Sequence, residues 1–345
     1  MKMSILRWAM LPALVLLLSL AGCKPGDDDG KGSNPTPAPP AQVYDIKVES
    51  RPDTTPEFQR IHYYLPGNGR EVKMEIQYRD GRTEQYMYRQ DGSLEELVEL
   101  HIHSQKVQSR TKFAADGKTR LESTSWRIGG ELDSSTVYNA DGSSRTVAYK
   151  VDGKRIHSET ITDGSGAQKI TVYRSDGKTL WAKIDRASQY SARVEYYDDA
   201  GKLTQIRELS SSKMVISVLD DTGKVVMKQE WSGYWSSWSG PSYNNLQNTE
   251  KYESDGTTVS RRIEFEYYYS RPRVVYDYKD GARVKEYSFN YDGSVKSEKT
   301  LQDDGTWASQ SYSNGQKQLD PPLTDSDRSA PAYQDPLVDN PSNRL

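Results

Sequence analysis

Few residues in this chain have types and spacings that could do chemistry. Its four histidines are His62, His101, His103 and His157, and only His101 and His103 stand close enough to act together. Two residues apart on an extended strand, they would share a face and offer two imidazoles to a metal. No cysteine or clustered carboxylate completes such a set. They read as solvated strand histidines, with no metal site. The aspartates of the many Asp-Gly pairs would suit calcium only with a nonapeptide period, which is absent. Each is placed instead to hydrogen-bond the backbone of its own turn. There is no Gly-x-Ser-x-Gly elbow, Walker loop or dinucleotide fingerprint. No pair of carboxylates is set apart as a glycosidase acid and base. The expectation is a protein that is not an enzyme and uses no cofactor. A net charge of −3 with interspersed signs leaves no nucleic-acid footprint.

A different chemistry is written at the N-terminus. Lys2 and Arg7 precede an uncharged run from Trp8 to Leu20, which ends at "LAGC" with Cys23, the only cysteine. A basic start and an apolar run of this length make a secretory signal, too short for a stable spanning helix. Leu-Ala-Gly-Cys resembles the bacterial lipobox. The resemblance implies removal of residues 1–22 and acylation of Cys23, which becomes the mature N-terminus and the contact with the membrane. With one cysteine the chain forms no internal disulfide. Lys24 stands where inner-membrane lipoproteins commonly carry Asp, so the same resemblance implies the outer membrane, on its periplasmic face or at the cell surface. Residues 23–42, rich in Pro, Gly, Asp and Ser, cannot bury enough apolar surface to offset ordering entropy and read as a tether. Residues 317–345 have a similar composition and read as a disordered or loosely draped tail.

The elements that must position anything else lie in residues 43–316. Asp-Gly ends at Gly81, Gly92, Gly117, Gly142, Gly153, Gly164, Gly177, Gly256, Gly281, Gly293 and Gly305, and Asn-Gly adds Gly69 and Gly315. These pairs supply the positive φ of tight hairpin turns. Gly69, Gly81 and Gly92 are 11–12 residues apart, and several other gaps are about double that. The longer gaps carry polar punctuation near their middles, as "HSQ" at 103–105, "GG" at 129–130 and "ASQ" at 187–189. A turn at each such interval predicts about twenty short strands. The segments between agree. In "EVKMEIQY", Val72, Met74, Ile76 and Tyr78 alternate with Glu71, Lys73, Glu75 and Gln77. In "IEFEYYY", Ile263, Phe265, Tyr267 and Tyr269 alternate in the same way. Period two with a charged opposite face marks an antiparallel sheet with one wet side.

The fold expected is therefore all-β. With 24 Tyr, 4 Phe and a hydrophobic fraction of 34%, the chain is poorly supplied for a two-layer sandwich. An extended antiparallel β-meander suits it, either spiralling or curving into an open barrel, with a β-propeller as the alternative.

Tyr-x-x-Asp-Gly-Lys before a hydrophobic strand resembles the MORN-like repeats of bacterial antitoxin and immunity-type proteins. The stretch "YYDDAGKLTQI" at 196–206 is similar to the YD repeat of Rhs and teneurin proteins. The resemblance implies a repeat protein that binds another macromolecule, with toxin neutralisation as one form. The alternative is a surface lipoprotein contacting envelope glycan or host material. One segment breaks the repeat. Between Gly223 and Gly256 lies "WSGYWSSWSGPSYNN", where Trp231, Tyr234, Trp235, Trp238 and Tyr243 sit among small polar residues. That composition fits a recognition loop for a protein or glycan partner, and equally rings folded back to cap a poorly filled sheet.

Overall fold

The structure, a computed structural model, describes residues 44–329 except 53, 54, 103, 189, 237–239, 267–270 and 314, with backbone alone at 234–236 and 240–244. The signal segment, Cys23, the tether and residues 330–345 lie outside the described residues.

The described strands form one antiparallel sheet of 22. They begin with β1 (Asp45–Ser50), β2 (Glu57–Tyr64), β3 (Glu71–Tyr78), β4 (Thr83–Tyr88), β5 (Leu94–Leu100) and β6 (Val107–Phe113). Next come β7 (Arg120–Trp126), β8 (Leu132–Tyr138), β9 (Ser144–Tyr149), β10 (Ile156–Thr162), β11 (Gln168–Tyr173) and β12 (Leu180–Ser188). They continue with β13 (Ser191–Tyr197), β14 (Leu203–Leu209), β15 (Lys213–Leu219), β16 (Val225–Ser236) and β17 (Gly240–Tyr252). The last are β18 (Val259–Phe265), β19 (Pro272–Lys279), β20 (Ala282–Phe289), β21 (Val295–Leu301) and β22 (Trp307–Ser311). Each pairs with the next in sequence, while β1 and β22 do not pair with each other, so the sheet is an open meander and neither a barrel nor a propeller. The single described helix, α1, is the four-residue Asp325–Arg328.

The turns follow the glycine spacing in three geometries. At 89–93, Arg89 N–H bonds to Ser93 O and Gly92 N–H to Arg89 O, with Gly92 at φ +84°. That is a three-residue loop in which the glycine takes the left-handed position. Where Lys-Thr follows Asp-Gly, one residue is added, as in the closure of Ala114 N–H on Thr119 O. At Asp280–Gly281, with φ +53° and +76° between the paired Lys279 and Ala282, the turn has two residues. At "DGSG" the positive φ falls on Gly166, two residues beyond the Asp-Gly glycine Gly164. The turns expected near 103–105, 129–130 and 187–189 join β5 to β6, β7 to β8 and β12 to β13. The alternation read in "EVKMEIQY" is β3 itself, whereas β18 ends at Phe265, ahead of the tyrosines read as its continuation.

Register shifts in most hairpins leave the central pairs unbroken, so single residue rows cross many strands. One runs Met74, Tyr86, Leu97, Thr111, Ser123, Thr136, Thr146 and Thr160 over β3–β10. It continues as Ile170, Ile184, Val194, Arg207, Ile216, Gln229, Thr249, Ile263, Val275 and Tyr287 over β11–β20. The two parts differ physically. The first is half-exposed and rich in hydroxyls, with Thr136 Oγ1 2.9 Å from Thr146 Oγ1. Every residue of the second is buried, and Ile216, Ile263 and Val275 are wholly inaccessible. A flat single layer leaves each face wet. The buried face of β11–β21 therefore needs cover, and part of it comes from residues 317–329.

That segment, the first part of the tail expected to be disordered or loosely draped, lies on the sheet as far as residue 329. Leu319 and Asp327 are buried, and Leu319 belongs to the same apolar cluster as Ile263 and Val295. Composition suggested disorder because the segment carries few apolar residues of its own; it is held by polar partners on the sheet.

Candidate functional site

The turn chemistry accounts first for the aspartates. Asp116 Oδ1 accepts the N–H groups of Lys118 and Thr119, and Oδ2 accepts the Thr119 hydroxyl. The Thr119 hydroxyl bond and then these backbone bonds hold the Asp116 carboxyl down at about 2, and Asp176 behaves the same way with Thr179. These carboxylates are already engaged by their own backbone. Among the described residues no group of three His, Cys, Asp or Glu side chains could hold a metal. His101 Nε2 lies 3.1 Å from the Trp126 carbonyl, and His103 lies outside the described residues. His157 is buried in the sheet.

A second set of residues ties turn to turn. Arg89 donates from Nη1 to Leu94 O and Ala114 O, at 2.7 and 2.9 Å, and from Nη2 to Phe113 O. Arg127 donates to the carbonyls of Lys150 and Tyr149, and Arg174 to that of Tyr197. Each clamps the turn two strands further along, on the same edge of the sheet. The signal available was the cation directly after the aromatic in "YRQDG", "WRIGG" and "YRSDG".

In a meander, turns that join an even strand to the next odd one share an edge. On that edge, between the β10–β11 and β12–β13 turns, lies a groove of about 670 Å³. Ile161, Ala192 and Leu209 contribute its apolar lining, with Lys169, Asp185, Arg186, Arg193 and Glu208 around them. Register explains the charges. Lys169 faces Asp185, Asp185 faces Arg193, and Arg193 faces Glu208. Arg193 Nη1 meets Glu208 Oε1 at 3.1 Å. Arg186 donates to Gln168 Oε1 at 3.4 Å, while its buried Nε has no hydrogen-bond partner. The groove thus combines an apolar floor with a guanidinium that has donor capacity left over.

Further along the same edge stands the aromatic segment. The stretch 231–245, read as a candidate loop, is a strand ladder with Gly233 opposite Tyr243, Tyr234 opposite Ser242, Trp235 opposite Pro241 and Ser236 opposite Gly240. Pairing of β16 with β15 stops at Ser232, and pairing of β17 with β18 stops at Asn248. Residues 233–236 and 240–243 therefore pair with each other as a two-stranded ribbon past the last residues paired to β15 and β18, with Gly233 N–H still reaching Ser212 O at 3.1 Å. Trp231 is not part of the ribbon. It is buried between Met214 and Leu246 in its row, and its Nε1 lies 3.3 Å from Gln229 Oε1. Of the rings expected to be exposed, this one belongs to the core. Trp238 lies outside the described residues, as do the side chains of Tyr234, Trp235 and Tyr243.

No family model matches the chain, and no curated protein matches it. Among solved structures it is similar to the crystal structure of TarM, at 18% identity over 31% of this chain and 19% of that one, with a TM-score of 0.23. It is similar to TcdB2-TccC3-TEV at 11% identity, covering 74% and 20% of the two chains, with a TM-score of 0.16. A porin-like protein from Bacteroides uniformis matches at 10% identity, with coverages of 77% and 93% and a TM-score of 0.14. The chain thus spans about a fifth of the length of TarM and of TcdB2-TccC3-TEV. Scores this low support no statement on function.

Proposed function

We propose that this is a non-enzymatic envelope lipoprotein, anchored to the outer membrane through Cys23, that binds another macromolecule along the edge of its sheet carrying the 233–243 ribbon. The observation that carries the reading is the ribbon itself. An isolated two-stranded hairpin is marginally stable in water, yet this one extends past the last residues paired to both neighbouring strands, with Tyr234, Trp235, Trp238 and Tyr243 in its sequence. Aromatic side chains of this kind dominate the energetics of protein and glycan contacts. The groove beside Arg186 extends the same edge and offers a place for an acidic or hydroxyl-bearing group of the partner. Neutralisation of a delivered toxin is the form suggested by the resemblance to immunity-type repeats.

Affinity purification of the tagged mature protein from envelope fractions, compared with a Trp235→Ala/Trp238→Ala double variant, tests the binding reading. A partner retained by the wild type and lost by the double variant, with an unchanged melting temperature, supports it. Equal recovery from both removes the ribbon as the binding surface. The anchor is tested separately by Cys23→Ser. If that variant still sediments with membranes and the wild type takes up no labelled fatty acid, the lipid assignment fails.

A further inference from the structure

Residues 317–329 are held on the sheet in an unusual way. Most of the contacts run from sheet side chains to the segment's backbone. Gln229 Nε2 donates to Ser326 O at 2.9 Å and to Ser329 O at 3.2 Å. Thr249 Oγ1 donates to Asp327 O at 3.0 Å, and Arg261 Nη1 to Pro321 O at 2.9 Å. Arg261 is itself fixed by Asp277, which receives its Nε and Nη2 at 2.6 and 3.1 Å. Two contacts read side chains, one of them the bond from Lys317 Nζ to Glu298 on β21. Lys251 Nζ lies 2.7 Å from Asp327 Oδ1, while Asp327 Oδ2 accepts the Thr324 N–H and hydroxyl at 2.7 and 2.9 Å.

Gln229 and Thr249 are wholly buried and sit between Ile216 and Ile263 in a row where aliphatic residues would otherwise serve. A buried amide or hydroxyl left without a partner is destabilising. Polar residues at these two positions therefore make sense only when a backbone with free carbonyls lies over them. The segment adds no strand to the sheet, and among residues 317–329 the buried apolar side chain is Leu319. It is gripped through its backbone, at Pro321 and along the single turn α1.

We infer that the face of β16–β18 formed by Gln229, Thr249, Lys251 and Arg261 is a recognition site for a short peptide whose Thr-x-x-Asp cap opens a single helical turn, with residues 317–329 as its occupant in cis. Four carbonyl-directed bonds supply affinity that tolerates sequence change, and Lys251 supplies selection for the acid. This inference stands apart from the proposed binding along the ribbon edge and does not depend on it.

The test uses the full mature chain with a protease site inserted in the turn at 313–316, cut after folding, since exposed turns accept insertions. A labelled synthetic peptide of residues 317–329 is then offered to the cut and the uncut protein. The expected result is that the cut protein either retains its fragment through gel filtration or, having lost it, binds the peptide with a Kd of about 1–50 μM, while the uncut protein binds none. In competition, the peptide carrying Asp327→Asn is expected to bind at least about tenfold more weakly. Loss of the fragment without peptide uptake at about 100 μM overturns the inference. So does unfolding of the body once the fragment leaves, which would make the segment ordinary core. Equal competition by the Asp327→Asn peptide would overturn the assigned role of Lys251.

Discussion

Gly117, in the β6–β7 turn, packs directly onto Leu94, in the first position of β5. A Cβ built on Gly117 would lie 2.7 Å from the Leu94 backbone nitrogen. The same relation recurs at Gly153 against Leu132, also at 2.7 Å, and at Gly177 against Ile156, at 2.9 Å. Turns on one edge of the sheet are thus stacked on one another, each glycine meeting the turn two strands before it. Around Gly201 nothing lies within 4 Å of the same position.

Alanine substitution separates the two demands placed on these glycines. Gly201→Ala meets only the left-handed backbone, for an expected loss of about 1–2 kcal/mol. Gly117→Ala meets that and the collision with a neighbouring backbone, for about 1–3 kcal/mol more. Urea denaturation of the two variants checks the difference. Equal losses would mean that the turns do not bear on one another.

Arg89→Met is expected to destabilise by about 1–2 kcal/mol, because three carbonyls lose a charged donor at a half-buried site. Arg89→Lys is expected to recover part of this, since Lys150 reaches the Tyr173 carbonyl at 3.5 Å from an equivalent turn position. Denaturation midpoints for the pair decide whether the clamp or the side-chain volume matters.

Acid is expected to loosen the turns together. Asp80, Asp91, Asp116, Asp141, Asp152, Asp163, Asp176, Asp220, Asp255, Asp292 and Asp304 all have carboxyls held below their ordinary value of 3.8, by hydrogen bonds from the residues that follow them. A depressed carboxyl contributes stability above the unfolded-state value and loses it as pH falls through the folded one. The loss therefore begins near pH 4, runs through about pH 2 and continues below it for Asp152 and Asp255. Carboxyl titration by NMR is expected to place Asp116 and Asp176 at about 2. Denaturation midpoints that stay flat from pH 5 to pH 2 would contradict the linkage.

Trp231→Ala is expected to cost about 3–5 kcal/mol, as for a ring removed from a packed interior. Trp307, 40% exposed on the edge strand β22, is expected to cost under about 1 kcal/mol when replaced by Ala. Thermal melts of the two variants distinguish a core tryptophan from a surface one.

The sequence by itself determined the strands, their turns and their chain order. Asp-Gly and its variants place the left-handed residues, and period-two alternation marks the segments between. Both signals are local, written within about a dozen residues, so "EVKMEIQY" could be read as β3 without knowledge of its neighbours. What only the tertiary structure decided is which of these similar strands become buried. Thr160 and Ile170 are partners in adjacent strands, yet one is half-exposed and the other lies inside. That difference depends on what covers the sheet from residue 170 onward. Part of the cover is a Pro- and Asp-rich segment whose composition reads as disorder. It is ordered because Gln229, Thr249 and Lys251, some 75–100 residues earlier, present donors to its carbonyls and its one buried carboxylate. Trp231 belongs with them. Its neighbours in sequence resemble a recognition loop, and its burial is set by Met214 and Leu246 across the sheet. Contacts between residues far apart in the chain leave no local pattern, and for that reason the core of this protein was not legible where its strands were.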